Sequence, residues 1–175
     1  DGDGLGDLPG IIDGLDYLAS LSVDAIWISP CYTSPLHDGG YDVADYRSID
    51  PRLGDLAIVR RLLDEAHARG IRVLMDLVPN HTSSEHVWFT QALAAQPGSP
   101  AWDRYVIREG KGKRRHKTPN NWRSVFHGPG WSPMLDATGE PTGFWYLHLF
   151  DSTQPDLNWE NAEVREEFHS LLRFW

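Results

Sequence analysis

Three segments of the chain place carboxylates where packing alone would not favour them. The first is Asp76, which interrupts the apolar run 71–78 and precedes Asn80 and His81. Because a buried carboxylate without a partner is strongly destabilising, we expect Asp76 to face a polar crevice or to meet an arginine. In parallel sheets that crevice lies beyond the carboxyl ends of the strands, where ligands bind. The alternative is a structural carboxylate that caps the turn after the strand.

The second segment is 37–42, His-Asp-Gly-Gly-Tyr-Asp. An acid, two flexible glycines and a tyrosine can present one carboxylate and one ring face to a sugar. The candidate residues are Asp38 and Tyr41, and their place after the first apolar run puts them at the same crevice as Asp76. The alternative is a Gly-Gly turn whose charge is incidental.

The third segment is the acidic start of the chain, where glycines separate Asp1, Asp3 and Asp7. Alternating carboxylates resemble the beginning of a calcium loop, in which hard oxygen ligands converge on one ion. The segment departs from an EF-hand at Leu5, which offers only its backbone carbonyl, and at Ile12, which stands in place of the bidentate glutamate. An acidic surface turn is the alternative.

Helical and apolar segments alternate in the first half of the chain. Apolar residues at helical spacing predict helices over 8–21 and 55–70, and short apolar runs predict buried strands at 25–29 and 71–78. The Gly-, Pro- and Asp-rich stretch 31–54 is predicted to be a loop. This order is typical of parallel βα repeats and predicts an α/β fold.

Residues 80–158 are richer in Pro, Gly, Trp and His than the preceding part of the chain. They carry one predicted helix near 87–95 and strand candidates at 105–108 and 144–149. Helical spacing returns over 161–175. The middle of the chain is therefore predicted to be a long insertion after the second strand.

Composition excludes several classes of function. The chain holds 16 Lys and Arg against 25 Asp and Glu, a formal net charge of −9, so nucleic acid is not an expected partner. It has no apolar run near the roughly 18 residues of a membrane span, so no membrane partner is expected. The single Cys31 excludes an intramolecular disulfide and favours a cytoplasmic location. The basic run 111–117 is expected to be a solvated surface loop.

Taken together, these motifs resemble glycoside hydrolase family 13, the α-amylase family, and most closely its α-glucosidase and oligo-1,6-glucosidase branch. The matching segments are the calcium loop at 1–11, the first conserved region at 76–81, the α-glucosidase-like stretch 120–126 and the Gln-Pro-Asp-Leu-Asn motif at 154–158. The resemblance covers the whole chain. It implies a partial (β/α)8 TIM barrel, with two of the eight strands visible and an irregular α+β insertion.

The same resemblance implies a domain organisation. Residues 1–79 would form the N-terminal part of the catalytic barrel (domain A), and residues 80–158 the inserted domain B. Residues 159–175 would return to the barrel as its truncated third helix. On this view the chain is a piece of a longer protein.

The resemblance also implies which residues bind substrate. Asp38 would accept hydrogen bonds from the hydroxyls of the non-reducing glucose, and the Tyr41 ring would stack on its face. His81 would hydrogen-bond the 6-hydroxyl of that glucose. Phe150 and Gln154 would line the same pocket.

Two further roles are implied by the resemblance. Asp76, together with Asn80, would support the active site by orienting an arginine, and would not be the nucleophile. A structural calcium ion would be bound by Asp1, Asp3, Asp7 and the carbonyl of Leu5. No organic cofactor is implied.

The function implied is that of a retaining glycosidase on α-linked gluco-oligosaccharides of the maltose and isomaltose type. Retention needs two carboxyl groups about 5–5.5 Å apart, and the family's nucleophile and acid/base would lie beyond residue 175. We therefore expect the 175-residue chain alone to be inactive. One alternative is glucosyl transfer of the trehalose synthase type, although the segment 120–124 favours a glucosidase. The other is a non-catalytic relative that resembles the heavy chains of amino-acid transporters.

Overall fold

A computed structural model describes residues 4–175 of the protein, so the predicted calcium ligands Asp1 and Asp3 lie outside the described residues. The elements in chain order are α1 (Leu8–Asp13), α2 (Leu15–Ser20), β1 (Ala25–Ile28), β2 (Tyr32–Thr33), β3 (Asp45–Ile49), α3 (Leu56–Ala68), β4 (Arg72–Met75), α4 (Val87–Ala94), a 3-10 turn (Trp102–Arg104), β5 (Ile107–Glu109), β6 (Trp131–Leu135), β7 (Pro141–Leu147) and α5 (Ala162–Phe174).

The strands β1 and β4 pair in parallel, with Ala25 opposite Arg72 and Ile28 opposite Met75. They are joined through α3, so the predicted βαβ organisation is present. The prediction that both strands are buried is wrong for one face of the pair. Trp27 is 59% exposed and Leu74 is 55% exposed. Successive side chains of a strand point to opposite faces, and here the helices of the described chain cover only one of them.

The helices follow their local signals. Asp55 caps α3 by accepting a hydrogen bond from the backbone N–H of Ile58 at 2.8 Å, and Gly70 follows its end with a φ of +74°. The helix predicted over 8–21 is instead interrupted at Gly14, which ends α1 and precedes α2. A glycine has no side chain to favour the helical conformation, so the two short helices meet there.

The stretch predicted to be a loop at 31–54 contains two strands. Tyr32 of β2 lies opposite Ile49 of β3 in an antiparallel pair. The strand predicted at 71–78 ends at Met75, so Asp76 follows the strand and does not interrupt it.

Within the predicted insertion, β5, β7 and β6 form an antiparallel sheet in that order. The strands predicted at 105–108 and 144–149 are found as β5 and β7, shifted by a few residues. The sequence analysis missed β6, because its Pro133 interrupts the strand pattern. The predicted domain boundaries at 79 and 158 stay predictions.

Two hydrophobic clusters support these elements. One joins α1 and α3 to β1 and includes Leu15, Leu62 and Ile71. The other joins the insertion to α5 and includes Tyr46 and Phe168. In the part of the chain that the structure describes, no helix has both the length and the apolar character needed to cross a bilayer.

Candidate functional site

A cleft of about 380 Å³ opens beyond the carboxyl end of β4. Its lining residues are Asp38, Tyr41, Asp76, Leu77, Val78, Pro79, Asn80, His81, Phe126 and Phe150. Six of them, Asp38, Tyr41, Asp76, Asn80, His81 and Phe150, are residues that the sequence analysis selected. The fold therefore brings candidates from three distant segments to one place.

A larger hollow of about 690 Å³ lies beside residues 4–11 and β1. Its lining is mostly aliphatic and backbone, with Asp7 as the charged residue and Cys31 as the thiol. Burial raises the pKa of the Cys31 thiol, which disfavours the reactive thiolate. The smaller cleft therefore holds the groups that can do chemistry.

Tyrosine hydroxyls hold the segment 76–81 in place after β4 ends. Tyr32 donates to the carbonyl of Asp76 at 2.6 Å. Tyr46, fully buried, directs its hydroxyl at the carbonyls of Val78 (2.9 Å) and His81 (2.6 Å). These carbonyls have left the sheet and need other donors. The side chains of Asp76, Asn80 and His81 are consequently presented on a fixed backbone.

The loop 37–42 is organised around Asp42, whose side chain is fully buried. Its carboxylate accepts hydrogen bonds from the Ser34 hydroxyl (2.9 Å) and from the backbone N–H groups of His37 (3.0 Å) and Asp38 (3.1 Å). The charge in this Gly-Gly turn is therefore not incidental. The sequence analysis gave Asp42 no role, although it is the second acid of the segment 37–42.

Gly40 makes the close approach of this loop possible. Its φ is +100°, and a Cβ atom there would lie 2.4 Å from the carbonyl oxygen of Pro30. A residue with a side chain cannot occupy the position without moving the loop. Asp38 and Tyr41 flank the glycine pair, so their placement depends on it.

The Asp38 carboxylate is fixed from behind by Gln154. The Gln154 amide donates to Asp38 Oδ2 at 2.9 Å, and its Oε1 accepts from the backbone N–H of Asp151 at 2.9 Å. Gln154 is completely buried and is not among the residues that line the cleft, so its expected place in the pocket wall stays a prediction. Its side chain lies behind Asp38 and contacts the cleft through that carboxylate.

Tyr41 and Asp76 meet at the cleft wall. Burial raises the pKa of the Tyr41 phenol, as do a hydrogen bond to the Asp76 carboxylate and the nearby charge of Asp38. The phenol therefore keeps its hydrogen, and the Asp76 carboxylate beside it can accept a hydrogen bond from it. Among the ion pairs of residues 4–175, none involves Asp76, so its predicted partnership with an arginine stays a prediction.

His81 is 3% exposed, and burial lowers its pKa, so the ring is neutral. Its Nε2 lies 3.1 Å from the carbonyl oxygen of Tyr41, and its Nδ1 lies 3.2 Å from Nδ2 of Asn80. Two phenylalanine rings extend this wall: Phe150 is 5.2 Å from the His81 ring, and Phe126 is 5.9 Å from Phe150. Phe126 was not among the predicted site residues.

The arrangement suits an uncharged ligand rich in hydroxyl groups. Asp38 can accept hydrogen bonds from hydroxyls, and the rings of Tyr41 and Phe150 offer apolar faces. A neutral histidine can donate from only one of its two ring nitrogens, so His81 offers one donor and one acceptor at distinct positions.

The acidic start of the chain is described only in part. Asp7 Oδ1 accepts the N–H of Gly10 at 2.8 Å and so caps α1. Within residues 4–175 no three His, Cys, Asp or Glu side chains are grouped as a metal site would require. The calcium site therefore stays a prediction.

Comparison with known proteins identifies the family of the chain. Residues 1–175 match the alpha-amylase family, by its catalytic domain. The chain belongs to the alpha-amylase family. The oligo-1,6-glucosidase of Heyndrickxia coagulans is 51% identical over 174 residues, which cover 99% of this chain and 30% of that protein. The trehalose-6-phosphate hydrolase of Bacillus subtilis (strain 168) is 49% identical, with the same two coverages of 99% and 30%.

Solved structures of alpha-amylase family members agree with the fold. The trehalulose synthase MutB from Pseudomonas mesoacidophila MX-45 superposes with a TM-score of 0.90 at 43% identity, covering 100% of this chain and 30% of that one. The trehalose-6-phosphate hydrolase of Bacillus licheniformis superposes with a TM-score of 0.88 at 45% identity, covering 99% and 30%. The predicted family and the partial TIM-barrel fold are confirmed. The chain spans about 30% of the length of these relatives.

Proposed function

We propose that the full-length protein hydrolyses α-glucosidic bonds at the non-reducing end of gluco-oligosaccharides, with retention, and that this chain supplies the pocket for the non-reducing glucose. One observation carries the proposal. A carboxylate held by Gln154 and a tyrosine ring next to Asp76 face the same cleft, at the carboxyl end of a parallel strand pair. The glucosidases among the relatives support the same substrate class.

Each residue that lines the glucose pocket has a role in this proposal. Asp38 accepts hydrogen bonds from glucose hydroxyls, and Gln154 keeps it from rotating away. The Tyr41 ring stacks on the C–H face of the sugar. His81 Nε2 lies 3.1 Å from the Tyr41 carbonyl and shares its hydrogen between that carbonyl and the 6-hydroxyl, and the Phe150 ring packs beside it. Bond cleavage itself requires a pair of carboxyl groups across the glycosidic bond.

Replacing Tyr41 tests the pocket. In the full-length protein, Tyr41→Ala should lower kcat/KM for p-nitrophenyl α-glucoside by about tenfold or more, because the stacking surface is lost. Tyr17→Ala is the matched control, since Tyr17 is 67% exposed on α2 and is not among the residues that line the cleft. Activity of Tyr41→Ala within twofold of the parent would refute the assignment. Hydrolysis of the same substrate by residues 1–175 alone would refute the expected inactivity of this piece.

Glucosyl transfer is the second candidate function, favoured by the likeness to a trehalulose synthase with a TM-score of 0.90. Product analysis separates the two. A hydrolase releases only glucose from maltose or isomaltose, whereas a transferase of the trehalose synthase type yields an isomeric disaccharide. Trehalose 6-phosphate belongs in the same assay, because a hydrolase of that compound is 49% identical to this chain.

A structural calcium ion is also proposed, bound by Asp1, Asp3, Asp7 and the carbonyl of Leu5. What supports it is the chemistry of the donors, which are hard oxygens. Asp7 can cap α1 through Oδ1 and still bind a cation, because a carboxylate has two oxygens and about four lone-pair sites. If so, a chelator should lower the Tm of the full-length protein, and added calcium should restore it. An unchanged Tm would refute the proposal.

A further inference from the structure

Asp156 is a buried carboxylate to which the pocket described above assigns no role. It is 4% exposed. Its Oδ1 accepts hydrogen bonds from the backbone N–H of Leu149 at 3.2 Å and from Nδ2 of Asn80 at 2.9 Å. Its backbone also forms an isolated antiparallel bridge with His81. Asp156 therefore lies directly behind the part of the cleft wall that Asn80 and His81 form.

A chain of hydrogen bonds runs from this carboxylate to the cleft. Asn80 Nδ2 approaches both Asp156 Oδ1 (2.9 Å) and His81 Nδ1 (3.2 Å), and His81 Nε2 approaches the Tyr41 carbonyl (3.1 Å). An ionised carboxylate only accepts hydrogen bonds, so the Asn80 amide must turn its NH2 group toward Asp156. The same NH2 group then donates to His81 Nδ1. That nitrogen must consequently be the acceptor, and Nε2 must carry the hydrogen.

We infer that ionised Asp156 is a positioning residue which, through Asn80, holds His81 as the neutral tautomer protonated on Nε2. The inference rests on the proposed function, in which His81 donates from Nε2 to a glucose hydroxyl. The opposite end of the chain requires the same tautomer, because the Tyr41 carbonyl is also an acceptor only.

The charges around this chain of hydrogen bonds are consistent with the positioning role of Asp156. The carboxylates of Asp38 and Asp42 face His81, while burial opposes its protonation and lowers its pKa overall. The two donors to Asp156, Leu149 N–H and Asn80, are uncharged, and burial raises the pKa of Asp156 to about 6. Once protonated, Asp156 can donate a hydrogen bond, and the Asn80 amide can turn its oxygen toward both Asp156 and His81. His81 Nδ1 would then need a hydrogen.

The substitution Asp156→Asn in the full-length protein tests whether ionised Asp156 fixes the protonation of His81, because the amide is isosteric with the carboxylate and can either donate or accept a hydrogen bond. The readout is the 15N spectrum of histidine-labelled protein above the pKa of Asp156, with the His81 signals assigned by their loss in His81→Gln. The parent should show an unprotonated Nδ1 and a protonated Nε2. In Asp156→Asn, the Nδ1 signal should shift toward the protonated position while Nε2 keeps its hydrogen, because both ring nitrogens then face acceptors.

The same variant should raise KM for p-nitrophenyl α-glucoside by about tenfold, the effect of one weakened hydrogen bond, with a smaller change in kcat. Asp136→Asn is the matched control. Asp136 also accepts backbone N–H groups, from Thr138 at 2.8 Å and Glu140 at 3.1 Å, but does so in the exposed turn between β6 and β7. Its substitution should change neither readout.

Unchanged 15N signals of His81 in Asp156→Asn would overturn the inference, whatever the activity. A shifted signal with an unchanged KM would overturn the positioning role. If Asp156→Asn does not fold, Asn80→Ala decides, because it removes the link between Asp156 and His81: the 15N signal of His81 Nδ1 should then change, and an unchanged signal would overturn the inference. Absence of α-glucosidase activity in the parent protein refutes the proposed function instead, and the 15N readout does not depend on it.

Discussion

The hydrogen bond between Gln154 and Asp38 yields the sharpest prediction about the pocket. Gln154→Met keeps the length of the side chain but removes both the donor to Asp38 (2.9 Å) and the acceptor for Asp151 N–H (2.9 Å). A hydrogen bond to a charged group contributes about 1.5–3 kcal/mol. If that free energy is lost from the binding of substrate, KM should rise by about 10- to 100-fold.

The kinetic pattern matters as much as the magnitude. Asp38 is proposed to contact a glucose that is bound alike in the ground state and the transition state, so KM should rise while kcat changes little. Initial rates of the full-length protein on p-nitrophenyl α-glucoside measure both constants. Gln91→Met is the matched control, because Gln91 lies exposed on α4 and its Oε1 accepts from Arg104 at 2.7 Å, away from the cleft lining.

The result that would refute the reasoning is a KM of Gln154→Met within twofold of the parent, with circular dichroism showing an intact fold. In that case Asp38 would hold its place without Gln154. An equal loss of kcat and kcat/KM would place the interaction in the transition state and also contradict the argument.

Two further predictions concern the supports of the cleft. Gly40→Ala should abolish most substrate binding, because its Cβ would lie 2.4 Å from the Pro30 carbonyl at a φ of +100°; isothermal titration with a glucose-mimicking inhibitor measures the loss. His86→Asn should make the protein less sensitive to acid, as followed by thermal unfolding at pH 7 and near pH 4. Burial lowers the pKa of His86 from 6.5 to about 4, so the parent loses up to about 3 kcal/mol of stability as pH falls through that window.

Each of these has a control within the chain. Gly139 has a comparable φ of +84° in the exposed turn after β6, but a Cβ atom added there would meet no atom within 4 Å. Gly139→Ala should therefore leave substrate binding unchanged. His169→Asn, at an exposed position on α5, should not alter the acid sensitivity. Equal binding in parent and Gly40→Ala, or equal acid sensitivity in parent and His86→Asn, would contradict the corresponding argument. Asparagine retains an acceptor for Trp88 N–H, so the cap of α4 is kept in that variant.

Much of the local structure follows from short-range signals. Asp55 and Asn161 cap their helices through bonds to N–H groups two or three residues away, at 2.8 Å in both cases. Signals of that kind are contained in a few consecutive residues, so the helices after them could be predicted. The strands β2 and β6 could not, because each is defined by a partner elsewhere in the chain and carries no clear alternation of its own.

What the sequence by itself determined is the set of groups available to the site and the βα order that brings strand ends to one edge. Asp76 was recognisable because a carboxylate in an apolar run has few reasons to be there, and the family resemblance added the roles of Asp38, Tyr41 and His81. The tertiary structure decided which of these groups meet and which support them. Gln154 reaches Asp38 across 116 positions, and Asp156 reaches Asn80 across 76. Contacts over such separations depend on the path of the whole chain, which no local pattern contains.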